Sequence, residues 1–358
     1  MSWRERLRQG LPSRLRRPPA LTGLARLDFN EGAFPPGPEE LATYGQALAA
    51  VDLNRYPDNE ATALRGALAA RWGVHPEEIL VANGSIEVMA ILFTALRRPG
   101  ARVLFPVPTF DQYATLAAVH GFDCVTVPLR PDFQIDEAAT AEAIDGQRPA
   151  LAFFASPNNP TGNLFSPQVL ERLARRMDGV LVVDEAYADF SGRSLLPRAA
   201  GVPGLFVMRT LSKLGLAGLR VGALVGAREA IAELDRARLP FNVGAPTQAI
   251  ACAALAHAAA IDGRIAAIVA LRRELEADLR RVPGLAVYPS EANFLLVRTT
   301  GQAGELCQGL LARGVAVRDV SALSGLAGCL RITVGTRDEN RRCVDALLAL
   351  TARARAVA

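Results

Sequence analysis

Lys213 is the only lysine in a sequence whose every other basic side chain, among 40 Lys and Arg residues, is an arginine. Arginine stays protonated in proteins, whereas a desolvated lysine can lose its proton and attack a carbonyl. A lysine kept at one position in an arginine background points to nucleophilic, Schiff-base chemistry there. Its neighbours agree with that reading. Lys213 follows the apolar run LFVM (205–208), with Thr210 and Ser212 before it and Arg220 beyond a Gly-rich turn. Hydroxyls and a guanidinium beside an amine make a cradle for a phosphate dianion next to a nucleophile. Pyridoxal phosphate, a phosphate ester with an aldehyde, matches both halves of such a site.

Two more polar constellations follow apolar runs. ALAFF (150–154) leads into SPNNPTG, with Asn158, Asn159, Pro160 and Gly162; VLVV (180–183) leads into Asp184-Glu185-Ala186-Tyr187. In open α/β sheets, ligands sit at the carboxyl ends of strands, so three such ends around one lysine define a candidate site.

The elements that position these ends alternate. VLF (103–105), CVTV (124–127), ALAFF, VLVV, LFVM and GALV (222–225) read as strands, and 85–98, 110–120, 167–177 and 227–237 as helices. Near-continuous apolar strands between helices predict a mostly parallel sheet covered on both faces. An Ala-rich helical stretch at 246–281 leads to strands at 285–288, 293–298, 315–318 and 330–334 and helices at 302–313 and 337–356, a smaller α+β unit. The expected division is an N-terminal arm and part of the small domain at 1–40, a large cofactor domain at 41–250, and an interdomain helix with the small domain at 251–358.

Composition excludes other classes. Half of the 358 residues are hydrophobic, enough for a sizeable core, and a net charge of +4 is too small to indicate nucleic acid as a partner. Five dispersed cysteines and three isolated histidines provide neither a disulfide framework nor a metal cluster. No apolar run has the length of a membrane span. The Arg-rich opening lacks the apolar region of a secretory signal and reads as a solvated arm or substrate-side lid of a cytoplasmic protein.

With NRYPDN (54–59), ANGSIEVM (82–89), PTF (108–110), SPNNPTG (156–162), VVDEAYADF (182–190), TLSKLGLAGLRVG (210–222), ANFLLVR (292–298) and VRDVSALSGLAGCLRITVGTRDEN (317–340) in this order, the chain resembles the fold-type I pyridoxal-phosphate enzymes, the aspartate-aminotransferase-like superfamily. It is most similar to the histidinol-phosphate aminotransferase branch. The resemblance implies that Lys213 would form the Schiff base and then move a proton between the donor's Cα and the cofactor. Asp184 would keep the pyridine nitrogen protonated, Tyr187 and Asn159 would bond the ring's phenolic oxygen, and Phe110 would stack on the ring. Gly84, Ser85, Ile86, Thr210, Ser212 and Arg220 would hold the phosphate. Tyr56 would reach the partner's site in a homodimer. Arg331 would clamp the donor's carboxylate, Arg318 would hold a far-end anion, and Asn30, in FNEGAF, would lie on the substrate side.

The departures bear on substrate. No tyrosine precedes Tyr44, so a tyrosine contact to substrate phosphate is missing or replaced by Arg14, Arg16 or Arg17. Ile86 stands where relatives often carry an acidic residue, and Lys213 and Arg220 are one residue closer than in much of the superfamily. Transamination between L-histidinol phosphate and 2-oxoglutarate is the leading expectation. An aminotransferase for another amino acid, a lyase resembling threonine-phosphate decarboxylases, and a catalytically silent binding module are the alternatives.

Overall fold

The computed structural model describes residues 23–357; Arg14, Arg16 and Arg17 of the expected arm lie outside them. A seven-stranded sheet has the order β2-β8-β7-β6-β5-β3-β4, formed by β2 (Ile79–Ala82), β3 (Arg102–Val107), β4 (Asp123–Pro128), β5 (Leu151–Ala155), β6 (Val180–Asp184), β7 (Leu205–Thr210) and β8 (Gly222–Val225). Only β8 runs against its neighbours. Strands β5 and β7 are buried at every residue and β6 at all but its first, whereas the edge strand β4 is largely exposed. Helices therefore cover the central strands on both faces, as their unbroken apolar runs require.

A second, five-stranded sheet has the order β1-β11-β12-β10-β9, from β1 (Ala25–Leu27), β9 (Leu285–Val287), β10 (Phe294–Thr299), β11 (Val315–Asp319) and β12 (Cys329–Thr333). Strand β1 pairs parallel with β11, and the other pairings are antiparallel. β1 and β2 are short and were not separable from loop by local pattern, nor were the helices Pro38–Ala49, Thr62–Trp72 and Glu137–Gln147.

The expected continuous helix at 246–281 is instead two helices, Ala245–Ala256 and Ala258–Leu279, at 76° to each other. At the joint His257 leaves helical geometry (φ −90°, ψ 44°), and its Nε2 lies 3.1 Å from Thr43 Oγ1 on the helix Pro38–Ala49. A tertiary contact overrides an Ala-rich propensity there. No single helix among the described residues is long and apolar enough to cross a membrane.

Candidate active site

The carboxyl ends of β2, β3, β5, β6 and β7 face one edge of the large sheet; Asp184 ends β6, and Gly84, Phe110, Asn159 and Lys213 follow the other four. Beyond β7 the chain turns tightly through Ser212–Leu216, with Gly215 at φ +85°. Lys213 Nζ lies 3.4 Å from the Phe29 carbonyl and 5.7 Å from the centre of the Tyr187 ring.

The residues expected to hold a phosphate converge as a cup. Thr210 Oγ1 accepts the Ser212 N–H at 3.1 Å, and Arg220 Nη1 donates to Ser212 Oγ at 3.3 Å. Arg220 itself is held at φ 55°, a conformation that non-glycine residues adopt only when their surroundings enforce it. Gly84, at φ +85°, caps the helix Ser85–Ala95, and a Cβ there would lie 2.4 Å from Arg220 Nη2. Glycine thus lets the guanidinium close onto the first turn of the helix, where the N–H groups of Ser85 and Ile86 and the helix dipole favour an anion.

Asp184 ends β6 and is buried, with one donor on each oxygen: Tyr113 Oη on Oδ2 at 2.8 Å and the Ala186 N–H on Oδ1 at 3.1 Å. Burial pushes its carboxyl up to about 6, opposed by those hydrogen bonds and by the charge of Lys213. The neighbouring Glu185 turns the other way, accepting from Ser194 Oγ, the Leu195 N–H and Arg209 Nη1. The adjacent asparagines divide similarly. Asn158 ties the PTF segment to the NNPTG turn, donating to the Pro108 carbonyl and accepting from Thr109 Oγ1. Asn159 Oδ1 accepts from Arg331 Nη1 at 2.7 Å, which leaves its amide hydrogens to donate.

Arg331 also donates from Nη2 to the Asp28 carbonyl at 2.6 Å, while its buried Nε has no protein partner among the described residues. Asn30 joins the two sheets. Its Nδ2 donates to Tyr187 Oη at 2.9 Å, its backbone N–H donates to Thr333 Oγ1 at 3.0 Å, and its Oδ1 accepts from Thr333 Oγ1 at 2.9 Å. These contacts hold Asn30 at φ 54°. Gly32 follows, so close to Gly215 that a Cβ would meet its backbone at 2.6 Å.

Phe110 meets Tyr113 edge-on at 5.6 Å. Arg318, partly exposed, reaches only to within 3.9 Å of Asp111. Tyr56 is not joined to Lys213 by its own chain; it is 83% exposed and stacks on Phe241 at 4.7 Å. Tyr113, Asp28 and Thr333 were missed in the sequence. For Tyr113 a signal existed: two aromatics, Phe110 and Tyr113, one helical turn apart.

The donor set fits pyridoxal phosphate. A cup closed by Arg220 over Gly84 suits a dianion, a buried carboxylate suits a pyridine nitrogen, and a lysine amine near enough to act on that carboxylate by its charge suits an aldehyde. Among the described residues no group of His, Cys, Asp or Glu is placed to hold a metal ion.

Residues 26–347 match the family of class I and II aminotransferases. A histidinol-phosphate aminotransferase of Aquifex aeolicus is 42% identical over 326 residues, covering 90% of this chain and 91% of its own. Histidinol-phosphate aminotransferase 2 of Nitrosococcus oceani is 40% identical over 329 residues, 91% of each chain. In structure, the histidinol-phosphate aminotransferase of Sinorhizobium meliloti in complex with pyridoxal-5'-phosphate superposes with a TM-score of 0.83 at 26% identity, covering 94% of this chain and 92% of that one.

Proposed function

The chain belongs to the class I and II aminotransferases, and from that premise we propose that it exchanges the amino group of L-histidinol phosphate with 2-oxoglutarate, giving imidazole-acetol phosphate and L-glutamate in histidine biosynthesis. It is a pyridoxal-phosphate enzyme of the aspartate-aminotransferase-like fold. The observation that carries the substrate reading is Arg331: a buried guanidinium, steadied by Asn159 and the Asp28 carbonyl, with Nε still to be satisfied. Such a group is suited to an anion, and one site can serve glutamate's α-carboxylate and histidinol phosphate's phosphate in turn. Curated histidinol-phosphate aminotransferases at 40% and 42% identity over nine-tenths of the chain support the same substrate.

Pyridoxal phosphate, when bound, supplies the carbonyl carbon that receives the amino group and a ring that draws electrons from the donor's Cα. This chain's residues do the rest. Gly84, Ser85, Ile86, Thr210, Ser212 and Arg220 bind the phosphate, and Phe110 packs on the ring. Asp184 holds a proton at the ring nitrogen; Tyr187 and Asn159 steady the phenolic oxygen. Lys213 Nζ takes the proton from Cα and returns it on the receiving carbon. Arg331 and Arg318 fix the donor's two ends, and Asn30 keeps Tyr187 in place.

Two copies complete each site. Tyr56 and Phe241 form an exposed aromatic stack, and Leu53 and Leu239, near them in sequence, are exposed too, an apolar cluster of the kind a second copy covers. The five cysteines are all free, which supports a reducing, cytoplasmic setting.

The test is a pair of single-turnover titrations of the cofactor-loaded enzyme, with L-histidinol phosphate and with L-glutamate, following cofactor absorbance. Both donors should convert it. Conversion by glutamate alone assigns another pathway, and stoichiometric CO2 release assigns a lyase.

A further inference from the structure

Tyr113 lies on the helix Gln112–His120, wholly buried. Its ring lies flat on Phe153, 4.7 Å between centres and 5° between planes. Packing accounts for the ring but not for the hydroxyl. Phenylalanine would fill the same space, and a phenol buried without a partner is costly. Here the hydroxyl has one partner, Oδ2 of Asp184 at 2.8 Å.

Together with the Ala186 N–H on Oδ1, this contact makes both carboxylate oxygens acceptors and stops the group from rotating. A protonated Asp184 would accept both hydrogen bonds more weakly and add an O–H donor of its own, so the two donors favour the ionised form. Tyr113 cannot readily exchange roles, because burial and the facing carboxylate hold its phenol well above the usual tyrosine range. The other charged and titratable groups around Asp184 divide. Lys213 favours its ionised form, Glu185, itself paired with Arg209, opposes it, and Tyr187 lies beside the phenol.

We propose that Tyr113 is a positioning residue for amino transfer: its hydroxyl holds Asp184 acceptor-only and in one orientation, so that the carboxylate meets the cofactor's ring nitrogen. This rests on the reading of Asp184 as that nitrogen's partner.

The experiment measures the affinity of the apoprotein for pyridoxal phosphate against pH by fluorescence, with melting temperatures alongside. Wild-type affinity should fall as acid protonates Asp184. Tyr113→Phe, which keeps the ring stack, should move that fall upward by about one pH unit, the effect of removing one hydrogen bond to a charged group. Replacing Tyr113 with 3-fluorotyrosine, a stronger donor, should move it downward, and this arm decides the matter if Tyr113→Phe does not fold. Asp184→Asn should abolish the fall. If Asp184→Asn abolishes it while neither change at Tyr113 moves it, Tyr113 only fills space and the proposal is overturned. If Asp184→Asn keeps the wild-type fall, the reading of Asp184 itself fails, and the proposal with it.

Discussion

Arg318 on β11 and Arg331 on β12 stand directly opposite each other across an antiparallel pair, one partly exposed and the other buried. Side chains at such positions share a face of the sheet, and two cations there repel. Burial and the charge of Arg318 both lower the Arg331 guanidinium, so the pair carries an unmet demand for anions. Glutamate meets it with two carboxylates, whereas histidinol phosphate brings one anionic end and one imidazole.

Arg331→Ala should therefore reduce the half-reaction rate with both donors by on the order of a hundredfold, the loss of a charged hydrogen-bonded contact. Arg331→Lys should not restore it, since an ammonium lacks the planar fork that reaches Asn159, the Asp28 carbonyl and a substrate together. Arg318→Ala should impair glutamate more than histidinol phosphate. Equal losses in stopped-flow half-reactions would remove Arg318 from the far-end site.

Lys213→Ala should abolish turnover while leaving the melting temperature nearly unchanged, because its amine makes weak contacts, a long one to the Phe29 carbonyl and a distant one over the Tyr187 ring. Lys213→Arg should be equally inactive, since a guanidinium does not form the Schiff base. Wild-type turnover in either variant would displace Lys213 as the nucleophile.

Asp184→Asn should slow transamination by orders of magnitude, because a neutral amide does not hold the ring nitrogen protonated. It should also stabilise the apoprotein. Burial raises the folded carboxyl to about 6 from the ordinary aspartate value of 3.8, so the folded state binds more protons between these pH values. Wild-type stability then falls as pH rises through that window, by on the order of 3 kcal/mol. Asparagine avoids this cost and can still accept the Ala186 N–H and donate to Tyr113. Urea denaturation should show the variant more stable at pH 7 and equal to wild type near pH 4. A gain that persists at pH 4 would assign the effect to packing.

Asn30 allows backbone strain to be separated from side-chain bonding. Asn30→Gly and Asn30→Ala both lose the side-chain contacts to Tyr187 and Thr333, but only glycine adopts φ 54° at no steric cost. Both should slow turnover. By chemical denaturation the glycine variant should be more stable than the alanine variant by about 1 kcal/mol. The reverse order would show that the positive φ relaxes without the amide.

Mixing Tyr56→Phe with Lys213→Ala subunits tests whether the sites are shared. If Tyr56 serves the neighbouring chain, each heterodimer has one site lacking both groups and one intact, and activity should rise on mixing. Demonstrated subunit exchange with no recovery would place Tyr56 in its own chain's site.

Much of this arrangement could be read from local pattern. The apolar runs ending at 154, 183 and 208 are the central strands, because burial on both faces leaves a strand no polar positions until its end. Pattern could not separate Asn158 from Asn159, or Asp184 from Glu185, since within each pair the roles depend on partners far along the chain. The aromatic spacing of Phe110 and Tyr113 marks a packed face, but not the hydroxyl's partner 71 residues away. β1 was hidden for a related reason: three residues make a strand only when β11 lies beside them. His257 shows the converse, a break that an Ala-rich sequence does not announce.

The pairing of β1 with β11 also orders the protein's birth. β1 ends at Leu27 and its neighbour β11 begins at Val315, so a chain emerging from the ribosome displays its first strand long before that strand's neighbour is translated. The seven-stranded sheet, complete once β8 has emerged, has no need to wait for them. During synthesis the sheet proposed to carry the phosphate site can therefore mature before the sheet proposed to carry the donor site. Asn30, which braces Tyr187, gains its own Thr333 partner only when the last strand, β12, arrives.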